Sequence, residues 1–330
     1  MSAQIMLLRY VLCFLLLLPS ALHAKPEKLY WGHVYETSEP LHKWAMWASE
    51  QIKQRTDGRY DIDVFPVSIL GKEAALNESL RLGSVDIIYT GTSFIAQLYP
   101  PFGITDMPYI YAGYDHWLKF NNSELFAELA QGYSEKTQGN HIVANNYYGE
   151  RHVSANVPVL TLTDMKGLKI RVPNAAIFKL FPQAVNANPT PIAFSEVYMA
   201  LQQGVVDAQE NPLPTIKAKK LYEVQKHISL TGHMVGSNVT IISQRRWKML
   251  SPDDRFIFEE VLQEAALNVS QETRAHEQAL IAWFGPHGVK VHHVDKSPFR
   301  QATLQLHKPF IATIGQENYD RLLQLNQAEE

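Results

Sequence analysis

The chain has 330 residues, 46% of them hydrophobic and 19% charged, with a formal net charge of −3 and a single cysteine. That length and apolar share allow a sizeable core divided between two domains. The slightly acidic balance, without a basic stripe, excludes the electrostatic footprint of a nucleic-acid-binding protein.

In chain order, Arg9 precedes an apolar run from Val11 to Leu18, followed by Pro19, Ser20 and the small-residue site Leu22-His23-Ala24. A positive start, a short apolar stretch and a small residue at the cut describe a secretory signal peptide over 1–24, cleaved after Ala24. The run is shorter than the roughly 20 apolar residues that span a bilayer. Cys13 lies inside it, so the exported chain is free of cysteine and offers neither a disulfide framework nor a thiol nucleophile. Export without thiols suits a bacterial periplasm.

The mature region opens with a strand predicted over Leu29 to Tyr35. A helix follows, with Ser38 as N-cap, Pro40 in its first turn and Gly58 as its stop. Leu41, Trp44, Ala45, Trp47 and Ala48 fall at helical spacing and define its buried face. "RYDIDVFP" alternates as a strand, and Lys72 to Leu82 reads as a second helix. Strand, helix, strand, helix, strand favours an α/β layer with parallel pairing.

Two segments then repeat. "SLRLGSVDIIYT" at 79–90 and "ALQQGVVDAQEN" at 200–211 share a helix end, a glycine, a valine and an aspartate in one register. Each reads as a helix closed at Gly83 or Gly204 and a strand starting near Asp86 or Asp207, preceded by a strand ending in proline (Phe65-Pro66; Thr190-Pro191). Two α/β lobes on one plan would enclose a cleft at the carboxyl ends of their strands, lined by Thr90, Gly91 and Thr92 from one and Glu210, Asn211 and Pro212 from the other.

Between the repeats, His141 to Tyr148 reads as a strand with Arg151 at its end, and Leu168 to Val172 as a strand carrying Arg171. Toward the C-terminus, Ser251 as N-cap, Pro252 and acidic residues open a helix long enough to brace both lobes. "VKVHHV" is a late strand and Phe299 to Ile314 a further helix. No Gly-, Pro- or Ser-rich linker divides the chain, so the lobes exchange segments: 25–148 with 237–278 in the first, 149–236 with 279–330 in the second.

Catalytic signatures are missing. There is no G-x-S-x-G elbow, no phosphate-binding G-x-x-x-x-G-K-[ST] loop and no G-x-G-x-x-G turn, and "AHEQA" at 275–279 lacks the second histidine of a zinc helix. Of the 13 histidines, His292 and His293 alternate onto opposite strand faces, poor geometry for one metal. His233 stands apart, where the chain passes from one lobe to the other.

Arg151 and Arg171, on neighbouring strands of one lobe, each offer a planar fork of donors matched to a carboxylate. Asn211 joins them from the end of the repeated strand. With "DMKGLKIRVPN" at 164–174 and "PTPIAFSEVYMALQQGVVDAQENP" at 189–212, the chain resembles the DctP-type periplasmic solute-binding proteins of tripartite ATP-independent periplasmic (TRAP) transporters. The resemblance covers the mature chain. It implies an α/β, two-lobed periplasmic binding protein fold of the Venus-flytrap, type II-like kind, with a hinge. It further implies a monomer without cofactor or metal that closes on an organic anion and delivers it to membrane permease subunits.

By the same resemblance the ligand carboxylate is gripped by Arg171, with Arg151, Asn211 and the aromatic Phe194 beside it. Tyr35, Glu36, Glu73 and Thr92 of the first lobe occupy places that face ligand, and His233 is a further candidate. Polar neighbours such as Glu36, Glu73 and Asn211 suit hydroxyl groups, so a sugar acid competes with a C4-dicarboxylate as the ligand. The alternative is a periplasmic lyase or hydrolase acting on sugar acids, with Glu36, Glu73 or His233 as acid and base.

Overall fold

The computed structural model describes residues 25–326, so the expected signal peptide and Cys13 lie outside the described residues. Strand β1 (Glu27–Gly32) pairs in parallel with β2 (Tyr60–Phe65) and with β3 (Ile87–Gly91). In the second half of the fold β5 (Lys169–Val172) does the same with β6 (Asn188–Pro191) and β7 (Ala208–Pro212). Both triads follow one plan.

The repeated glycine and aspartate explain that likeness. Gly83 and Gly204 adopt left-handed φ of 70° and 67°, which ends the preceding helix at a residue without a Cβ penalty. Asp86 then exchanges two hydrogen bonds with the neighbouring strand: its N–H donates to Tyr30 O at 3.0 Å and its Oδ2 accepts from Tyr30 N at 2.9 Å. Asp207 repeats this with Lys169, at 2.8 and 2.9 Å. The aspartate thus pins the register between the two strands of each triad.

The triads are joined by two long antiparallel strands, β4 (His141–Ala155) and β8 (His227–Ile242), giving the order β2-β1-β3-β8-β4-β7-β5-β6 with β9 (Lys290–His292) beside β8. β3 pairs with the C-terminal part of β8, and β7 with the C-terminal part of β4. The result is a mixed α/β sheet in two lobes, each strand of the long pair serving both. A separate apolar cluster that includes Val153, Ile170, Phe181 and Ala208 forms the core beneath the second triad.

β4 does not stop at Tyr148, as the sequence suggests, but runs on through Gly149, which faces Gly236 of β8. Gly149 has φ of +116°, and a Cβ there would lie 2.7 Å from Glu277 Oε1 and 2.9 Å from Pro212 Cβ. Only glycine lets the strand pass between these groups.

The helix opened by Ser251 spans Pro252–Phe284, 33 residues, and packs on β4, on the helix Pro40–Arg55 and on the helix Leu213–Ala218. It therefore touches both halves of the sheet. Ser251 Oγ accepts from Asp254 N at 3.1 Å as the expected N-cap.

Three expectations need correction. The N-cap of Pro40–Arg55 is Glu39, not Ser38; the Glu39 carboxylate accepts from Glu36 N at 3.0 Å and from the Thr215 hydroxyl at 2.9 Å. The predicted helix Phe299 to Ile314 is two helices, Lys296–Leu304 and His307–Ile314, because Pro309 lacks an N–H and its ring excludes the carbonyl of Gln305 from a continuous helix. Nor does all of 279–330 belong with the second lobe. His307–Ile314 and Gln316–Gln324 return to the first, packing on Pro100–Asp106 and Glu124–Lys136, with His116 Nε2 2.8 Å from Leu322 O and Arg321 2.6 Å from Glu128.

Glu277 braces the crossing point from the long helix. Its carboxyl takes the Glu150 N–H at 2.5 Å and the Tyr147 hydroxyl at 2.9 Å. Burial raises this carboxyl to about 8, against the pull of those two donors. The native state therefore holds a proton that the unfolded chain releases near 4.5, so stability from this group is full below about 4.5 and is lost as pH rises to about 8. In urea denaturation at pH 5, 7 and 9, Glu277→Gln should flatten the parent's alkaline loss, the gap between the two proteins changing by a few kcal/mol (roughly 1.4 kcal/mol per pH unit across the window). Parallel stability curves would show that Glu277 is not protonated in the fold.

Candidate ligand-binding cleft

The carboxyl ends of β1, β3, β5 and β7 meet the crossing point of β4 and β8 around an interior cavity of about 40 Å³. Tyr35, Glu73, Phe94 and Asp106 line it from the first lobe; Arg171, Phe178, Phe194 and Asn211 line it from the second. Tyr148 and Arg151 of β4 and Ser237 and Asn238 of β8 close it at the crossing. Arg171, Glu73 and Phe94 also border an adjoining hollow of about 300 Å³, with Lys72, Asn174, Ile192 and Glu196 around its rim.

The strand order carries the arginines here. β7 lies between β4 and β5, pairing Pro212 with Arg151 and Gln209 with Arg171. Between them runs a chain of amides: Asn211 Nδ2 donates to Gln209 Oε1 at 2.6 Å, and Gln209 Nε2 donates to Ser154 Oγ at 2.7 Å.

Although both guanidinium groups are buried, their surroundings differ. Arg151 is paired within the second lobe through Nε and Nη2. Its Nε donates to Glu210 Oε2, and one Nη donates to Glu210 Oε1 and to Glu210 O, both at 2.8 Å, and to Asn211 Oδ1 at 3.1 Å. Phe178 stacks 5.0 Å beneath it. Burial alone would raise the Glu210 carboxyl, but Arg151 and His233 outweigh it and hold it at about 2. This is a closed, bidentate ion pair.

Arg171 is 1% exposed and its side chain makes one hydrogen bond, Nε to Ile192 O at 2.8 Å. Its Nη1 is buried without a partner, and among the described residues no carboxylate lies within ion-pair distance. Burial lowers its pKa to about 10, although Glu210 and Glu73 pull the other way. A buried, unpaired guanidinium is costly, and it points to an anion as the missing partner.

Of the residues expected to face ligand, Arg171, Arg151, Asn211, Phe194, Glu73 and Tyr35 share the cavity. Tyr35 is held by its hydroxyl to Asn238 Oδ1 and packs against Tyr148 and Phe194. Burial raises the Glu73 carboxyl, opposed by its own backbone N–H and by Arg171.

The other three lie elsewhere. Thr92 is behind the wall, donating to Asp106 Oδ2 at 2.7 Å, because its hydroxyl points into the turn Pro100–Asp106 and not into the cleft. Glu36 is taken by Lys219 of the second lobe at 2.5 Å. His233 stacks on Phe181 at 4.0 Å and stands behind Glu210, with Nε2 3.3 Å from its Oε2; burial lowers its pKa against that carboxylate's pull.

Sequence reasoning missed Asp106, Tyr148, Phe94, Phe178, Ser237 and Asn238. Only Tyr148 and Phe94 had a signal, Tyr148 beside Gly149 and Phe94 three residues beyond β3. Asp106 sits in a 3₁₀ turn that reaches the cleft only through tertiary packing.

Comparison with known proteins places this geometry in context. A family model, DctP: bacterial extracellular solute-binding protein, family 7, matches residues 31–313. A sialic acid-binding periplasmic protein of Vibrio cholerae is 34% identical over 274 residues, covering 83% of this chain and 85% of that protein. A TRAP periplasmic solute-binding protein of Polaromonas, solved with D-erythronate, superposes with a TM-score of 0.86 at 30% identity, covering 90% of this chain and 98% of the other. One from Sulfurospirillum deleyianum, solved with succinate, gives 0.85 at 28% identity, covering 92% and 99%. Among the described residues no helix is long and apolar enough to cross a membrane, and no cluster of metal ligands occurs.

The pairing of Arg151 and Glu210 has a direct consequence. Both belong to the second lobe, so Glu210→Ala leaves a buried guanidinium unpaired whether or not ligand is present. Equilibrium urea denaturation should show a loss of about 3 to 5 kcal/mol; a loss under 1 kcal/mol would mean that solvent reaches Arg151.

Proposed function

The chain belongs to family 7 of the bacterial extracellular solute-binding proteins, TRAP periplasmic binding proteins and not enzymes, and from that premise we propose that it captures an organic acid in the periplasm by pairing the ligand carboxylate with Arg171. The observation that carries this reading is the Arg171 guanidinium, buried with Nη1 unpartnered while its neighbour Arg151 is paired bidentately with Glu210. The relatives solved with D-erythronate and with succinate hold ligands bearing a carboxylate, and the same chemistry suits this cavity.

Capture by lobe closure follows from size and charge. About 40 Å³ is too small for a sugar acid or a dicarboxylate, since ligand pockets run to several hundred cubic ångströms. The lobes must part to admit the ligand and close around it less tightly than they close on themselves. In the parted form water solvates Arg171; closing without an anion strips that water and leaves the charge unpaired. A carboxylate removes this penalty and shifts the population toward the closed form.

Polar contacts that cross between lobes beside the cleft include Lys72 with Glu196 at 2.5 Å, Lys219 with Glu36 at 2.5 Å, Thr215 with Glu39 at 2.9 Å, and Gln97 Nε2 with Asn174 O at 3.4 Å. They form only when the lobes meet. A membrane permease that recognises the closed outline would receive loaded protein in preference to empty protein, completing delivery. The enzyme alternative loses two of its three candidate groups, as Glu36 is held by Lys219 and His233 stands behind Glu210, which leaves Glu73 at the cavity without a second acid or base from that set.

Arg171→Ala should lower the affinity for a bound organic acid by about 30-fold or more, equivalent to about 2 kcal/mol or more, when measured by isothermal calorimetry. Its circular dichroism should match the parent's. Parent-like affinity would remove the carboxylate clamp.

A further inference from the structure

The charges around the cavity point beyond "carboxylate" to a class of acid. Two cations face it, Arg151 and Arg171, and two acids, Glu73 and Asp106. Glu210, immediately behind, consumes Arg151 with a bidentate pair. One unpaired guanidinium thus remains for the ligand, while two carboxyl groups already look into the same space. The other polar groups on the wall are neutral: the hydroxyls of Tyr35, Tyr148 and Ser237 and the amides of Asn211 and Asn238.

Asp106 is the less expected of the two acids. It is 2% exposed, and the Thr92 and Ser93 hydroxyls both donate to its Oδ2, which fixes the carboxyl plane. Glu73 sits at the first position of its helix, across from Arg171, on the border between the cavity and the outer hollow. A ligand held by Arg171 at one end extends toward these carboxyls and the neutral groups around them. A second ligand carboxylate would find no free cation there, and like charges forced together in a desolvated interface cost several kcal/mol. A hydroxyl meets the same carboxyls as a donor meets acceptors.

We infer that the ligand bears a single carboxylate and several hydroxyls, as an aldonate or uronate does, and that Asp106 and Glu73 determine this specificity by accepting hydroxyl hydrogens and rejecting a second carboxylate. The inference rests on the Arg171 clamp proposed above. It makes the two acids specificity-determining residues, although the fold itself accommodates both erythronate and succinate in relatives.

The test is calorimetric titration of the exported chain with D-galactonate, L-gulonate, D-erythronate and D-glucuronate against succinate and L-malate. The tightest of the four polyhydroxy monocarboxylates should bind at least about 100-fold more strongly than either dicarboxylate. Asp106→Asn and, separately, Glu73→Gln should each shrink that ratio about tenfold or more, chiefly by weakening the polyhydroxy acid. Glu73 is only half-buried, so its variant supplies the answer even where the buried Asp106→Asn fails to fold. A dicarboxylate that binds as tightly as the best sugar acid would overturn the inference while leaving the clamp intact, as would ratios unchanged in both folded variants. Failure of every carboxylate in the panel to bind would instead overturn the clamp, and the inference with it.

Discussion

The pairing of β4 with β8 is the constraint on which the rest of the molecule depends. Each strand supplies one end to each lobe, so two triads of parallel strands are welded into one sheet without a separate linker. The ladder between β4 and β8 is interrupted at three places, one of them where Gly149, at φ +116°, meets Gly236. The long helix lies across this point and Glu277 holds the strand from behind. Motion of one lobe against the other is therefore confined to a few backbone torsions beside the cleft. A small rotation there moves the ligand-facing ends of the strands and leaves each core undisturbed.

The same arrangement explains why two similar arginines differ. β4 reaches the second lobe beside β7, so Arg151 meets Glu210 and Asn211 within its own lobe and is paired in any arrangement of the two. Arg171, one strand further out, meets only the carbonyl of Ile192 there. Around the cavity it is faced by Glu73 and Phe94 of the other lobe. On the proposed reading, Arg151 serves as scaffold for the amides of β7, and Arg171 is the group whose solvation changes when the lobes meet.

Much of this was legible in the sequence because it rests on local chemistry. The glycine, valine and aspartate shared by 79–90 and 200–211 identified the triads, since a left-handed helix end and a register-setting aspartate are properties of a dozen residues. Ser251 and Pro252 marked the long helix for the same reason. What escaped depends on contacts distant in the chain. β8 carries two glycines, Gly232 and Gly236, and two histidines in "HISLTGHMVGSNVTII" and has no plain strand pattern, so its length is set by β4 and β3 on either side. Glu210 was visible as a cleft residue, but its capture of Arg151 follows from the antiparallel register of β4 and β7, 59 residues apart in sequence. Thr92 and Glu36 were misjudged because position after a strand says where a residue is, not which way its side chain turns.

How firmly the lobes hold each other is a question of small terms. Lys72 and Glu196 are 53% and 54% exposed, so their ion pair contributes about 0 to 1 kcal/mol. Lys219 and Glu36 are more shielded, and Lys219 also rides 5.3 Å over Phe194, which adds a modest attraction. Thr215 gives Glu39 a hydrogen bond that favours the ionised carboxylate, but burial outweighs it and raises that carboxyl to about 7. None of these is large beside the penalty for burying Arg171 without an anion. On the proposed reading, closure is decided by whatever neutralises that one guanidinium, and a ligand that does so would need only a few kcal/mol of preference for the closed form to reverse the populations.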